Sequence, residues 1–179
     1  QEIILRLVDS DLRLKYELNG ATLELNGRID RIDVDEAQNY FLIMDYKTSA
    51  SVALNAVDFY FGLNLQLLTY LLVSDELLSD KQPAGMFYFL LRNPMKAVEG
   101  GTTEEQGRAE IDKDLRMIGM MLRDASVVNK IDSTMQFIRA GINKDGSFSR
   151  TTNVKTADEL EHLMSYVRSI FGHIGAKML

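Results

Sequence analysis

Two short, continuous apolar runs constrain the fold more than any other feature of this sequence. Residues 40–44 read YFLIM, and residues 84–91 read AGMFYFLL. Polar residues 35–39 precede the first run and Asn93-Pro94 follows the second, so turn signals bound both. Runs of this length are typical of strands buried on both faces of a sheet. The sequence therefore predicts an α/β fold, with a mixed central β-sheet flanked by helices.

The N-terminal part of the chain predicts a meander of strands. Apolar and polar residues alternate over residues 12–18 and again over residues 23–33, the period of two that half-buried strands show. Asn19-Gly20 predicts a hairpin turn between them, and residues 35–39 predict the tip of the next hairpin. We therefore predict three strands over residues 12–47.

The rest of the chain predicts helices around one further strand. Apolar residues recur at helical spacing over residues 58–78, and a second helix is predicted over residues 104–122. A strand is predicted over residues 135–142 and a turn over residues 144–146. Thr156 followed by Glu159 is a capping box, which predicts that the last helix begins there. Three methionines are assigned to the buried face of the second helix: Met117, Met120 and Met121.

Length and composition limit the class of protein. The 179 residues suffice for one core, so we expect a single domain over residues 1–179. The chain begins with Gln1 rather than Met and contains no Gly-rich ATP loop, which leads us to expect a piece of a longer protein. The sequence has no leader and no apolar run of roughly 18 residues, so we expect a cytoplasmic location without membrane contact.

Three charged residues at the first apolar run indicate metal chemistry. Asp45 and Lys47 are two apart on a predicted strand, so their side chains leave the same face. Asp30 lies on the preceding strand, and the hairpin places it roughly opposite Asp45. Two neighbouring carboxylates repel each other unless a cation lies between them, and oxygen ligands suit Mg²⁺ or Mn²⁺. A net charge of −6 argues against a phosphate-coating protein but is compatible with such a metal centre.

Gln66 and Tyr70 extend this candidate site. They are four residues apart in a predicted helix, so they share one helical face and can both contact a phosphate or a base. Each candidate also has a structural interpretation: an acid at a strand end is often a turn residue, and a tyrosine is often a core residue. His162 and His173, eleven residues apart on the last helix, are assigned to the surface or to packing.

Three motifs in this order resemble a known family. They are GRIDRID at residues 27–33, DYKTS at residues 45–49 and LQLLTYL at residues 65–71. The set resembles the PD-(D/E)XK nuclease superfamily and, more narrowly, the C-terminal nuclease domain of the AddB/RexB family of bacterial helicase–nuclease subunits. The resemblance covers nearly the whole chain. It implies a restriction-endonuclease-like core and metal-assisted cleavage of DNA in double-strand-break repair, with a helicase–nuclease partner of the AddA/RexA type.

The resemblance also implies roles for individual residues. Asp30 matches the first metal-binding acid of the family, and Asp45 and Lys47 match its acid-x-lysine element. Gln66 and Tyr70 match the Gln-x-x-x-Tyr motif, so these five residues are the predicted catalytic set, with Asp30 and Asp45 as metal ligands. Support or DNA contact is expected of Arg31 and Asp33.

Two family features lie outside the sequence. An upstream helix with a further acidic or histidine ligand is expected before Gln1. Many AddB proteins also hold an iron–sulfur cluster on four cysteines, whereas RexB-like members lack it. This chain has no cysteine, so its own residues cannot hold such a cluster.

A stretch of positive charge suggests a DNA contact. Four basic residues lie between residues 139 and 155: Arg139, Lys144, Arg150 and Lys155. A contact with the DNA backbone and a solvated loop are equally compatible with this pattern. The chain as a whole leaves two rival interpretations: an inactive nuclease-fold scaffold or DNA-binding module, and a phosphoesterase or RNA-directed nuclease on the same fold.

Overall fold

The computed structural model describes residues 11–18, 21–48, 54, 56–92 and 101–178 of the chain. The strands in these residues are β1 (Asp11–Leu18), β2 (Ala21–Arg28), β3 (Arg31–Asp35), β4 (Tyr40–Lys47), β5 (Gln82–Leu90), β6 (Ile118–Leu122) and β7 (Val154–Lys155). The helices are α1 (Ala56–Tyr60), α2 (Gln66–Leu77), α3 (Glu104–Leu115), α4 (Ala125–Ile131) and α5 (Ala157–Met178). No helix within these residues combines the length and the apolarity needed to cross a membrane.

Strands β3 to β7 form one five-stranded sheet in chain order among the described residues. The β3–β4 and β5–β6 pairs are antiparallel, whereas β4–β5 and β6–β7 are parallel. The parallel β4–β5 pair needs a crossover connection, which contains α1 and α2. The β1–β2 hairpin forms a separate two-stranded sheet. The prediction of a mixed sheet flanked by helices is confirmed.

Buried side chains cover both faces of the five-stranded sheet. On one face, α2 and α5 pack on Ile43 of β4 and Met86 of β5. On the other face, α4 and residues 135–154 pack on Met44 and Phe87. Because side chains alternate along β4, Asp45 and Lys47 lie on the α2 face.

The prediction of one strand over residues 23–33 is wrong, because these residues contribute to two strands that belong to different sheets. Strand β2 ends at Arg28 and β3 begins at Arg31, with a bend at Asp30. The Asp30 carboxylate accepts a hydrogen bond from the backbone N–H of Tyr46, at 2.9 Å, where the bend leaves β4 without a partner on its β3 side. The meander up to Lys47 therefore has four strands. The Asn19-Gly20 turn lies outside the described residues, but it links strands that pair from Leu18 to Ala21.

The helix predicted over residues 58–78 is interrupted. Helix α1 ends at Tyr60 and α2 begins at Gln66. Between them, Gly62 and Asn64 adopt left-handed backbone conformations, with φ of 69° and 57°. An α-helix cannot continue through such residues, so the apolar periodicity spans two helices and a turn.

The helix predicted over residues 104–122 is wrong after Leu115. Residues 118–122 form β6, which pairs with β5. Met120 and Met121 are buried in this strand, and Met117 is buried just before it, in an isolated bridge with Ile138. Gly119 permits this pairing, because a Cβ at this position would lie 2.2 Å from the carbonyl oxygen of Met86. Helix α4, which begins after the N-cap Asp124, is not among the predicted elements.

The strand predicted over residues 135–142 is also wrong. Ile138 forms only an isolated bridge with Met117, and Met135 has a φ of 54°. The buried Asp132 carboxylate accepts hydrogen bonds from the backbone N–H groups of Phe137 and Ile138, so a side chain replaces the strand ladder. Three local predictions are confirmed: the hairpin tip at residues 35–39, the turn at residues 144–146, and the Thr156–Glu159 capping box.

Candidate active site

The candidate site lies at the C-terminal end of β4, under the first turn of α2. The β3–β4 register pairs Arg31 with Met44, so Asp30, one residue before β3, lies opposite Asp45. The two carboxylates are close enough for the charge of Asp30 to raise the pKa of Asp45. Asp30 is exposed, whereas Asp45 is buried. Two carboxylates that can bind a metal therefore lie next to each other, with Asp30 facing solvent and Asp45 facing the core.

Asp45 is the most confined charge of the site. Its side chain is 3% exposed, and burial is the main reason why its pKa is raised; Lys47 opposes this increase and Asp30 adds to it. Lys47 Nζ lies 2.7 Å from Asp45 Oδ2, but off the direction of a hydrogen bond, so this oxygen has an ion-pair partner and no aligned donor. Asp45 Oδ1 accepts a hydrogen bond from Gln66 Nε2 at 3.0 Å.

Gln66 joins the strand residues to helix α2. Its Oε1 accepts a hydrogen bond from Lys47 Nζ at 2.6 Å, while its Nε2 donates to Asp45 and to the hydroxyl of Tyr70, at 2.9 Å. One amide group therefore fixes the ammonium, the carboxylate and the phenol relative to one another. The structure brings together all five residues of the predicted catalytic set: Asp30, Asp45, Lys47, Gln66 and Tyr70.

Two further residues support this arrangement and were missed by the sequence analysis. Tyr88 of β5 is buried beside Asp45 in the parallel register, and its ring centroid lies 5.4 Å from Lys47 Nζ. Burial, together with the charge of Asp45, raises the pKa of Tyr88 to about 12, so its hydroxyl is a stable donor. It donates to Asn64 Oδ1 at 2.8 Å, just before α2 begins. No sequence signal joins these residues, because the β4–β5 pairing brings together positions 43 residues apart.

The residues present fit a divalent cation of the Mg²⁺ type. Asp45 Oδ2 is a buried oxygen without an aligned hydrogen-bond donor, and the exposed Asp30 carboxylate lies beside it. Among the described residues, no group of three or more His, Cys, Asp or Glu side chains forms a larger cage. Mg²⁺ commonly takes one or two carboxylates and keeps several waters, which matches this sparse donor set.

Arg31 and Asp33 lie away from this cluster. Side chains alternate along β3, so both residues lie on the sheet face opposite Asp45. There, Arg31 Nε and Nη2 donate hydrogen bonds to the Asp33 carboxylate at 2.7 and 2.9 Å. The Asp33 hydrogen bond raises the pKa of Arg31 above its already high usual value, with smaller effects from burial and Tyr46. The pair braces the start of β3 next to Asp30.

The basic residues between positions 139 and 155 are not gathered at the carboxylates. Arg139, Lys144 and Arg150 are exposed, and Lys155 is half-buried on β7. Lys155 pairs with Leu122 of β6. Asp45 pairs with Tyr88 of β5, and Tyr88 in turn pairs with Ile118 of β6. Four residues of strand separate these levels, about 13 Å.

The fold and the acid–acid–lysine cluster define a class of protein, and a family comparison gives the same class. The model for the PD-(D/E)XK nuclease superfamily matches residues 2–174, so the chain belongs to that superfamily. Curated relatives narrow the likeness further. The B subunits of ATP-dependent helicase/deoxyribonucleases are 39% identical to this chain: over 171 residues in Bacillus mycoides, and over 174 residues in Bacillus cereus and Bacillus anthracis. Each match covers 88% of this chain and 14% of the relative, so the chain spans about a seventh of their length.

Proposed function

We propose that this chain is the metal-dependent DNA exonuclease domain of a bacterial helicase–nuclease subunit of the AddB/RexB type. The chain belongs to the PD-(D/E)XK superfamily. The main support for the proposal is the buried Asp45 carboxylate, which contacts Lys47 and Gln66 and lies next to Asp30. Burying a charge opposes folding, and such groups concentrate at functional sites.

The proposed chemistry is hydrolysis of a DNA phosphodiester. Asp30 and Asp45 would hold Mg²⁺, or Mn²⁺ in its place, which when bound supplies Lewis-acid polarisation of the scissile phosphate. Lys47 forms an ion pair with Asp45 and donates a hydrogen bond to Gln66, so its positive charge is fixed beside the carboxylates. There it stabilises the negative charge that develops on the phosphate. Gln66 and Tyr70 position Lys47 and Asp45 and form the wall of the site on the α2 side.

An inactive scaffold is the second candidate, and the electrostatics of the site disfavour it. A fold that required only the shape of Asp45 would gain stability from an uncharged side chain, because burial and Asp30 both disfavour the carboxylate. A cation at the site would offset this repulsion. The crowded carboxylate pair therefore supports a metal-binding role over a purely structural one.

DNA and a protein partner are proposed from the names of the relatives. Those names specify a deoxyribonuclease, which supports DNA over RNA as the substrate, and a B subunit, which supports a second kind of subunit beside it. The proposed partner is a helicase–nuclease protein of the AddA/RexA type, in the bacterial cytoplasm, where the complex would resect broken DNA for recombinational repair. Strands unwound by the partner would enter the site at Asp45.

The experiment uses the full-length protein in complex with its partner. Asp45→Ala and Lys47→Ala are each compared with Lys113→Ala, a control at an exposed ion pair on α3. Strand-specific digestion is measured with Mg²⁺, with Mn²⁺ and with EDTA, and unwinding is measured in parallel. We expect each site variant to abolish cutting of one strand while it unwinds DNA normally, and EDTA to abolish cutting of both strands. Unchanged cutting of both strands by Asp45→Ala would refute the assignment.

The basic residues outside the cluster are assigned a separate role. Arg139, Lys144, Arg150 and Lys155 are proposed to contact the DNA backbone away from the cut, and Arg31 to act through support of β3. Charge reversal at Arg150 and Lys155 should weaken DNA binding and reduce its salt dependence. An unchanged salt dependence would assign these residues to a solvated surface.

A further inference from the structure

The turn that precedes helix α2 carries an unusual amount of exposed apolar surface. Within seven residues, four large apolar side chains are 58–71% exposed. We call them the 57–63 apolar surface: Val57, Tyr60, Phe61 and Leu63. Phe59, in the middle of this stretch, is buried in the main core. The chain therefore anchors one aromatic ring inside the domain and holds the two rings that follow it toward solvent.

The backbone of this turn is held by hydrogen bonds, so the exposure is built into the fold. The N–H groups of Phe61, Gly62 and Leu63 donate to carbonyl oxygens of α1 at 2.7–3.1 Å. The hydroxyl of Tyr166 on α5 donates to the carbonyl oxygen of Tyr60 at 2.7 Å. Gly62 is in the left-handed conformation that the turn requires. Tyr60 and Phe61 are thus presented from a backbone tied to two helices.

The same turn is continuous with the catalytic cluster. Asn64 follows Leu63 directly and accepts the hydrogen bond from Tyr88, whose ring lies below Lys47. Gln66, two residues further, contacts both Asp45 and Lys47. The 57–63 apolar surface therefore begins beside the candidate active site at Leu63. It extends from there to Tyr60, which lines a depression with Lys155 and Tyr166.

We propose that the 57–63 apolar surface binds the unpaired bases of the strand being cut, with Tyr60 and Phe61 as stacking partners. This inference rests on the proposed nuclease function, in which unwound strands enter the site, and deepens it by naming the side chains that would hold the unpaired bases. Base faces are apolar π surfaces that a duplex hides and a single strand exposes. The two rings meet edge to face, with centroids 5.2 Å apart, which leaves ring faces open to solvent.

Continuity with the site and the charge of the chain favour bases over a protein as the occupant. The 57–63 apolar surface runs directly into Asn64 and Gln66, which contact the site residues. The chain has 26 acidic and 20 basic residues, so phosphate attraction alone gives it little hold on DNA. Stacking supplies affinity that does not depend on positive charge. A groove of about 590 Å³ between Tyr60, Phe61 and α5 offers room for a base beside the rings.

The test uses the full-length complex without ATP, so that translocation does not deliver the DNA. A single-stranded oligonucleotide carrying photoreactive 5-iodouracil is crosslinked in EDTA, and the attachment sites are mapped. In parallel, kcat and KM for digestion of the unmodified strand are measured with Mg²⁺. The double variant Tyr60→Ala with Phe61→Ala is compared with the conservative Tyr60→Phe. Phe137→Ala is the matched control, because Phe137 is similarly exposed but packs on the opposite sheet face.

We expect crosslinks at Tyr60 or Phe61 in the wild-type complex. The double variant should lose them and raise KM by roughly tenfold, with kcat within about twofold of the wild-type value. Tyr60→Phe should retain the wild-type KM, and so should Phe137→Ala. Crosslinks elsewhere with an unchanged KM in the double variant would overturn the proposal. The proposal would also be overturned if the double variant released the partner protein while the KM of the isolated nuclease protein stayed unchanged, because the surface would then be a protein interface. The crosslinking arm needs no cleavage, so failure of the nuclease proposal would be visible separately.

Discussion

Replacing Lys47 by Met should destabilise the domain by leaving the buried charge of Asp45 without its partner. The Asp45 carboxylate is buried next to Asp30, and Lys47 supplies its compensating charge at 2.7 Å. Removing one partner of a fully buried ion pair costs about 3–5 kcal/mol. Because the Lys47 side chain is 28% exposed, solvent screens part of this interaction, and we expect a loss of about 2 kcal/mol. For a domain of this size that loss lowers Tm by about 4–8 °C.

The dependence on pH identifies the cause. The pKa of Asp45 is already raised by burial, and losing Lys47 raises it further. A carboxyl whose folded pKa is raised costs stability above that pKa, and the cost disappears as protonation removes the charge. The deficit of Lys47→Met against wild type should therefore be largest at mildly alkaline pH and shrink steadily as the pH falls toward the ordinary range of aspartate.

Thermal unfolding of the domain in EDTA, followed by circular dichroism across this pH range, measures the effect. The double variant Lys47→Met with Asp45→Asn should recover most of the lost stability, because no unpaired charge remains buried. Mg²⁺ should stabilise Lys47→Met more than wild type, since the cation replaces the missing charge. Lys113→Met, at an exposed ion pair, should stay within about 0.5 kcal/mol of wild type. A Lys47→Met deficit that is absent, or constant with pH, would refute the reasoning.

Three further predictions concern residues that stabilise the fold, beside the site and elsewhere in the sheet. Tyr88→Phe removes the hydroxyl that holds Asn64, and should cost about 1 kcal/mol in chemical denaturation and lower kcat more than it changes KM. Asp132→Ala should cost about 3 kcal/mol, because Asp132 accepts four hydrogen bonds. Burial raises the pKa of Asp132, but the hydrogen bonds outweigh burial, so the pKa is lowered overall. The wild-type protein should therefore lose this stabilisation as the pH falls through the pKa of Asp132, whereas the stability of the variant should not show this loss. Gly119→Ala should reduce Tm by several degrees, because its Cβ would overlap a backbone carbonyl of β5. Gly27→Ala should not, because its Cβ would make only an ordinary van der Waals contact with the Tyr70 ring, at 3.7 Å.

Local signals in the sequence predicted local structure correctly. Residues 35–39 form the hairpin tip, because Asp35 accepts hydrogen bonds from the N–H groups of Ala37 and Gln38 within its own turn. The last helix begins after Thr156, because Thr156 and Glu159 satisfy each other's backbone groups. The same applies to Asp45 and Lys47, whose common face follows from the period of a strand. These features need no information about distant residues.

Predictions failed where distant residues decide the outcome. The spacing of Met117, Met120 and Met121 fits a helix face, but pairing with β5 places Met120 and Met121 in a strand, and a bridge to Ile138 holds Met117. The role of Tyr88 likewise follows from its register against Asp45. The role of Asp132 could not be predicted from a local pattern, because its carboxylate replaces the hydrogen bonds of the predicted strand. The sequence thus predicted which candidate residues meet at the site, but not the residues that hold them in place.

The order of strands in the sheet has a consequence for how this chain is made. Strand β4 lies between β3 and β5, and its run at residues 40–44 is apolar. A nascent or cleaved chain that ends before Gln82 lacks β5, so one side of β4 offers free backbone hydrogen-bonding groups along that run. Such exposed apolar edges pair with other chains and aggregate. Fragments that retain the acidic pair but stop short of β5 should therefore precipitate, and boundaries for expressing this domain should fall beyond Leu90.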